Sequence, residues 1–321
     1  MQTYTLEQYT TKTGASYRHI PLSYQCFGLP LGQAPVILVN HALTGNSNVA
    51  GPDGWWSDLI GRGKTIDLNH YSVLAVNVPG NGYDGFLIEK YQDFTPQDIA
   101  QLFCQLLDVL NIKRLYALIG CSLGGGIAWE MACLRPKLTQ YLIPVAANCQ
   151  SSLWLQGHCQ VQQRILLHSN HPIEDARQMA MLFYRAPQSF EQKKSARQGQ
   201  AFSATAWLDY HGRQLNKRFD RRAYLLMNCL LGAVHIDLSR QQLQSKLKAI
   251  EATVVSIAIE SDFLVTAAEI YTTHQWLKNL GVDSYYHTIN SAQGHDAFLI
   301  EHQQVSDILQ TLFKINVYEN Y

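Results

Sequence analysis

Four short stretches of this chain are apolar almost without a break: "PVILVN" (Pro35 to Asn40), "YSVLAVNV" (Tyr71 to Val78), "RLYALIG" (Arg114 to Gly120) and "YLIPVAAN" (Tyr141 to Asn148). A strand with one wet face alternates apolar and polar residues, whereas a strand covered on both faces does not. These runs therefore predict strands held between two layers of helix. The sequence between them carries matching helix signals. "TPQDIAQLFCQLLDVLN" opens with Thr95 as N-cap, Pro96 at the first helical position and Asp98 in the first turn. "LGGGIAWEMACLRP" is stopped by Pro136. Strand and helix in alternation specify a doubly wound, mostly parallel sheet. Before it, "TYTLEQYT" and "SYRHIPLSYQCFG" alternate around Lys12-Thr13-Gly14, which predicts an antiparallel N-terminal hairpin.

The rhythm breaks from Gln150 to about Lys248. There the chain is rich in Gln, Arg and Leu at helical spacing, as in "VQQRILLHS" and "RRAYLLMNCLLGAV". It resumes with the strand "TVVSIAIES" (Thr253 to Ser261), the helix "AAEIYTTHQWLKNLG", the strand "SYYHTI" and a last helix "AFLIEHQQVSDILQTLF". The expected organisation is one α/β core, residues 1–149 and 249–321, interrupted by a helical cap at 150–248.

Composition removes several classes of function. Lys plus Arg and Asp plus Glu both number 25, so the formal charge is zero and no basic surface for nucleic acid or anionic lipid is expected. No apolar run reaches the roughly 18 residues of a membrane span. The segment "MQTYTLEQYTTKTG" lacks a basic stretch followed by an apolar core, so no secretory signal is expected. The 7 cysteines form no Cys-x-x-Cys pair. They predict reduced thiols in a cytoplasmic protein, each a small buried hydrophobe. No metal site is expected, because His41 has no second ligand at a helical offset.

Where the third apolar run becomes a helix stands Gly120-Cys121-Ser122-Leu123-Gly124-Gly125-Gly126. A capping serine would account for Ser122 alone. It gives no reason for three consecutive glycines, each costing about 1 kcal/mol inside a helix. A nucleophile on a sharp strand-to-helix turn does, because backbones crowd together there and the helix N-terminus favours an anion. A serine hydroxyl needs a histidine base, and the base needs a carboxylate to orient it. Asp262 follows the strand "TVVSIAI", and His295 lies in the loop after "SYYHTI". Both fall at the sheet edge where Ser122 emerges, in the chain order of α/β-hydrolases; Glu260 is the alternative acid. Two backbone amides would hold the oxyanion, that of Leu123 after the nucleophile and that of Leu43 in "VNHALTGNSN".

"NHALTGNSNVAGPDGWWSDLIGRGKTID", "GCSLGGGIAWEMA", "YRAPQSFE" and "GHDAF" together resemble the homoserine O-acyltransferases, enzymes of the α/β-hydrolase fold. The resemblance spans most of the chain. It implies an acyl-enzyme formed on Ser122 from acetyl-CoA and passed to the homoserine hydroxyl, at the entry to methionine synthesis. It further implies His295 as base, Asp262 as its orienter, Leu43 and Leu123 as oxyanion donors, and Asp296 as the group holding the substrate ammonium. No bound cofactor is implied, only small-molecule substrates, and the cap of the family commonly builds a homodimer. The chain departs from the family pattern at the arginine that takes the substrate carboxylate. Gln163 stands there, and the candidate Arg164 comes one residue, about 100° of helical rotation, later. The loop "NVPGNGYDG" also lacks the usual Ser-Thr-Gly-Pro continuation.

Two further motifs are set aside. Gly80 to Gly85 fits G-x-G-x-x-G, but "FLIEKYQDFTP" follows where a dinucleotide site needs a helix. "DLIGRGKT" has Asp58 where a P-loop needs its first glycine. Trp55 and Trp56 read as packing. Alternatives to acetyl transfer remain: transfer to another hydroxy amino acid, ester or thioester hydrolysis with the same three residues, or a non-catalytic binding protein of this fold.

Overall fold

A computed structural model of the chain describes residues 1–196 and 203–313. It begins with the expected hairpin, β1 (Gln2–Thr10) against β2 (Ser16–Gly28), paired antiparallel with Gln2 opposite Tyr24. After β3 (Val36–Asn40), two short strands, β4 (Ile60–Gly61) and β5 (Ile66–Asp67), form a separate parallel pair around the turn of "GRGK". The main sheet continues with β6 (Ser72–Val76), β7 (Leu115–Cys121), β8 (Thr139–Val145), β9 (Thr253–Ile259) and β10 (Ser284–Ile289), in the order β1-β2-β6-β3-β7-β8-β9-β10. From β6 to β10 every neighbouring pair is parallel, while β2 runs antiparallel to β6. This is the α/β-hydrolase arrangement that the apolar runs and the hairpin predict.

The double coverage is visible residue by residue. Every side chain of β3 is buried, and successive ones enter different cores. Leu38 joins one core with Ile99 and Leu106 of α1 (Pro96–Val109) and Ile127 of α2 (Leu123–Leu134). Ile37 and Val39 join the other, with Val305 and Leu309 of α10 (His302–Phe313). Truncating one of these to alanine removes packing worth about 2–5 kcal/mol. α1 starts as its sequence dictates: Thr95 and Asp98 exchange hydrogen bonds in a complete capping box.

Between β8 and β9 the described residues form α3 (Leu153–His168), α4 (Pro172–Tyr184), α5 (Pro187–Ala196), α6 (Ala204–Asn216), α7 (Arg221–Leu231) and α8 (Arg240–Lys248). α8 leads the chain back to the sheet and packs on α9 (Ala267–Asn279). Among the described residues no helix is long and apolar enough to cross a membrane.

Two expectations need correction. The predicted last helix is broken: Gly294–Leu299 form a 3-10 turn, and α10 starts only at His302. The cause is Trp56, whose indole Nε1–H donates to the Phe298 carbonyl at 3.0 Å, a carbonyl that a continuous helix would use for itself. Not every cysteine is a buried hydrophobe either. Cys26 is exposed: it shares a face of β2 with Leu22 and Tyr24, but it lies two residues from the strand's end.

Candidate functional site

The turn after β7 holds Ser122 at φ 53°, ψ −121°, in left-handed backbone space that an L-residue enters only under constraint. The constraint comes from β7, whose end the Ser122 amide extends by donating to Val145 of β8, and from α2, which starts at the next residue. The glycines make this possible. A Cβ on Gly124 would lie 2.3 Å from the Asn40 carbonyl oxygen, one on Gly125 2.3 Å from the Ala147 Cβ, and one on Gly126 2.6 Å from a Val234 methyl. Ser122 makes no side-chain cap to its helix. Its hydroxyl points elsewhere.

That hydroxyl lies 2.8 Å from His295 Nε2, and His295 Nδ1 lies 2.6 Å from Asp262 Oδ2. The carboxylate fixes the tautomer: Nδ1–H donates to Asp262, so Nε2 is left to accept from Ser122. The other carboxylate oxygen accepts from the Leu264 and Val265 amides at 2.8 and 3.0 Å. All three residues are buried, at 6%, 3% and 4% exposure in the order Ser122, His295, Asp262. Burial opposes charge on His295, but Asp262, with smaller help from Asp296, outweighs it and raises the imidazole's pKa above the ordinary value. Such a chain of groups can take a proton from a hydroxyl and hold it as imidazolium. Glu260 is exposed and takes no part.

Leu123, at the serine turn, and Leu43, in the loop after β3, are both buried. Among the described residues neither of their amide hydrogens has a protein acceptor. The loop carrying Leu43 is held from both ends. His41 donates from Nδ1 to the Ala42 carbonyl at 2.8 Å and accepts at Nε2 from the Val78 amide at 3.1 Å. Burial pushes its pKa down to about 4, so it stays neutral and structural, as its lack of ligand spacing suggests. Asn77 Oδ1 accepts from the Ser47 amide further along, and Arg218, arriving from the cap, donates to the Thr44 carbonyl at 3.0 Å. Trp55 donates to the Asn46 carbonyl, so both tryptophans are structural.

A match to the α/β hydrolase fold covers residues 35–301. A homoserine O-acetyltransferase of Cyclobacterium marinum is 30% identical over 98% of this chain and 95% of its own. The chain belongs to the homoserine O-acetyltransferase family. Among solved structures, a homoserine O-acetyltransferase of Staphylococcus aureus superposes with a TM-score of 0.85 over 99% of this chain and 96% of that one, at 23% identity. Esterase E22 superposes equally well, TM-score 0.85 over 97% and 98%, at 21% identity. At those identities the superpositions show the shared fold.

Against the homoserine O-acetyltransferase pattern, the substrate-binding candidates come out unevenly. Asp296, next to His295, is mostly buried and ion-paired with Arg185 Nε at 3.2 Å. Gln163, in the usual arginine place, donates from Nε2 to the Tyr91 hydroxyl at 2.9 Å. Arg164 is exposed on α3, and the structure does not gather it with the others: the one-residue shift turns it to solvent. Sequence reasoning gave no role to Tyr184, whose ring lies 5.7 Å from that of His295, nor to Arg185 beside it. Their only signal was the segment "YRAPQSFE", which carries resemblance without periodicity. The glycines of the set-aside dinucleotide motif lie in a loop, with Gly80 packed against Leu226 of the cap. Among the described residues no group of three or more His, Cys, Asp or Glu could hold a metal ion.

Proposed function

We propose that this chain transfers an acetyl group from acetyl-CoA to the hydroxyl of homoserine through an acyl-enzyme on Ser122. The observation that carries the reading is the unbroken hydrogen-bonded path from Ser122 Oγ through His295 to Asp262. Kinship with homoserine O-acetyltransferases supplies the acyl group and the acceptor.

In this mechanism His295 Nε2 takes the Ser122 proton as Oγ bonds to the thioester carbon. The carbonyl oxygen becomes an oxyanion on the Leu43 and Leu123 amides. The C–S bond then breaks, and CoA leaves as a thiol with the proton from His295. The acceptor hydroxyl next gives its proton to His295 and attacks the acyl carbon, and Ser122 recovers its proton as the ester departs. A free amino acid is a zwitterion, and Asp296 with Arg185 offers the two opposite charges it needs. Arg185 replaces Arg164 as the carboxylate partner in this reading. The product is an intermediate for methionine synthesis. A homodimer and a cytoplasmic setting belong to the same proposal, the latter supported by seven unpaired thiols.

The test is mass spectrometry of the intact protein mixed with acetyl-CoA, followed by product analysis with homoserine. An acetyl increment on the wild type, absent from Ser122→Ala, and formation of O-acetylhomoserine are expected. Release of acetate with no O-acetylhomoserine would instead make the chain a thioester hydrolase.

A further inference from the structure

Beside Ser122 lies a cavity of about 20 Å³ that the mechanism above leaves without a role. A space of that order holds one water or one methyl group. Its walls come from the turn after β8 (Ala147), from α2 (Gly126) and from the two ends of the cap, Leu155 on the way out and Leu231 and Val234 on the way back. No Lys, Arg or His lines it. Three of its polar wall atoms are already engaged. Asn148 Oδ1 accepts from the Thr273 hydroxyl at 2.6 Å, Gln150 Nε2 donates to the His235 carbonyl at 2.8 Å, and the Ser151 hydroxyl donates to the Leu231 carbonyl at 2.7 Å.

We propose that this cavity receives the hydrocarbon end of the acyl group on Ser122 and limits it to two carbons, with Val234 as the wall that sets the limit. The inference rests on the acyl-enzyme reading and deepens it by naming the acyl class: short and uncharged. An acyl carbon bonded to Ser122 Oγ turns its oxygen toward the Leu43 and Leu123 amides, and its remaining substituent needs space that this cavity provides. Acetyl fills it with one methyl. Each further methylene has to displace wall atoms, at a discrimination of about 10–200-fold. A succinyl group adds two methylenes and a carboxylate that would be buried with no cation among the lining side chains.

Val234 is a firm wall because its surroundings are fixed. It presses on Gly126, its amide donates to the Ser151 hydroxyl at 3.1 Å, and the next residue is locked in place. That residue, His235, lies with Nε2 2.9 Å from a Glu130 carboxylate oxygen and with Nδ1 2.8 Å from the Cys149 carbonyl.

The experiment measures the single-turnover rate of Ser122 acylation by acetyl-, propionyl-, butyryl- and succinyl-CoA, read as intact mass and thiol release. It is run on the wild type, on Val234→Ala and, at a second lining residue, on Leu155→Ala. The wild type is expected to prefer acetyl over propionyl by at least tenfold and to give no succinyl adduct. Either variant should raise the propionyl-to-acetyl ratio at least tenfold while still refusing succinyl. A wild type that accepts butyryl or succinyl as fast as acetyl overturns the proposal, as does an unchanged ratio in both variants. The same series is run on p-nitrophenyl acetate, propionate and butyrate, which need only a reactive Ser122. A two-carbon cut-off there with no acylation by any thioester removes the transferase reading and sustains the pocket; no acylation by either series removes both.

Discussion

Two buried histidines in this molecule face carboxylates, and only one of them keeps a ring nitrogen on a hydroxyl. His295 gives Nδ1–H to Asp262 and keeps Nε2 as an acceptor for the Ser122 hydroxyl. His235 meets Glu130 at Nε2 and a backbone carbonyl, that of Cys149, at Nδ1. Both rings are 3% exposed, so burial does not separate them. The partner of the second nitrogen does. A ring between an acceptor and a donor can stay neutral and pick up a proton during a reaction. A ring with a carboxylate oxygen 2.9 Å from one nitrogen, a carbonyl at the other and a thiol nearby is better matched as the imidazolium, so its pKa is raised and it serves as a strut. The strut joins α2, which begins at the nucleophile, to the segment where the cap rejoins the core.

Replacing the carboxylate in each pair separates the two roles. Asp262→Asn leaves a polar side chain that still accepts the Leu264 and Val265 amides but no longer dictates the His295 tautomer. We expect kcat to fall about 10⁴-fold with little change in thermal midpoint. An Asp262→Asn enzyme of near-normal rate would break the comparison at its reactive end. Glu130→Gln strands a buried cation, which should cost about 3–5 kcal/mol of stability in denaturant unfolding. The folded fraction should retain Ser122 acylation. A variant as stable as the wild type would show that His235 is neutral after all.

The smallest effect is in pH, where the two pairs move in opposite directions. In the proposed mechanism His295 acts as a neutral base, and its raised pKa means that kcat/KM should climb as pH rises through a value above the ordinary 6.5. For His235 burial opposes charge, but Cys133 and Glu130 outweigh it and push its pKa up to about 10. A folded-state pKa above the unfolded one gives stability that is complete below about 6.5 and is lost as pH rises through about 10. The stability advantage of the wild type over Glu130→Gln should therefore shrink between pH 7 and 10 while activity is still holding. Denaturant midpoints measured across that range check it.

The grouping of His295 with Asp262 and Ser122 was legible in the sequence and the strut was not, for a physical reason. Ser122, Asp262 and His295 each sit just past the carboxyl end of an apolar run, so the strands that position them announce them. Glu130 lies inside a helix and His235 in an irregular return segment, 105 residues away and without a motif. Asp262 was separable from Glu260 only in space, where one is buried against the imidazole and the other exposed. The break before α10 depends on an indole 242 residues earlier, which no local pattern can reveal. β4 and β5 are two residues each, too short for any periodicity. Arg164 shows the limit of reading by likeness: one position along a helix turned the expected carboxylate partner into a solvent-facing residue.

The whole cap departs after β8 and returns before β9, two strands that lie side by side in the sheet with Tyr141 opposite Thr253. Because the two splice points are neighbours, lengthening such an excursion twofold costs only about 0.6 kcal/mol of closure entropy. Leu155, Arg185, Arg218 and Val234 all ride on that excursion. The length of that excursion is thus set between those two points, while its fit is set by the few places where it grips the loop after β3 and α2.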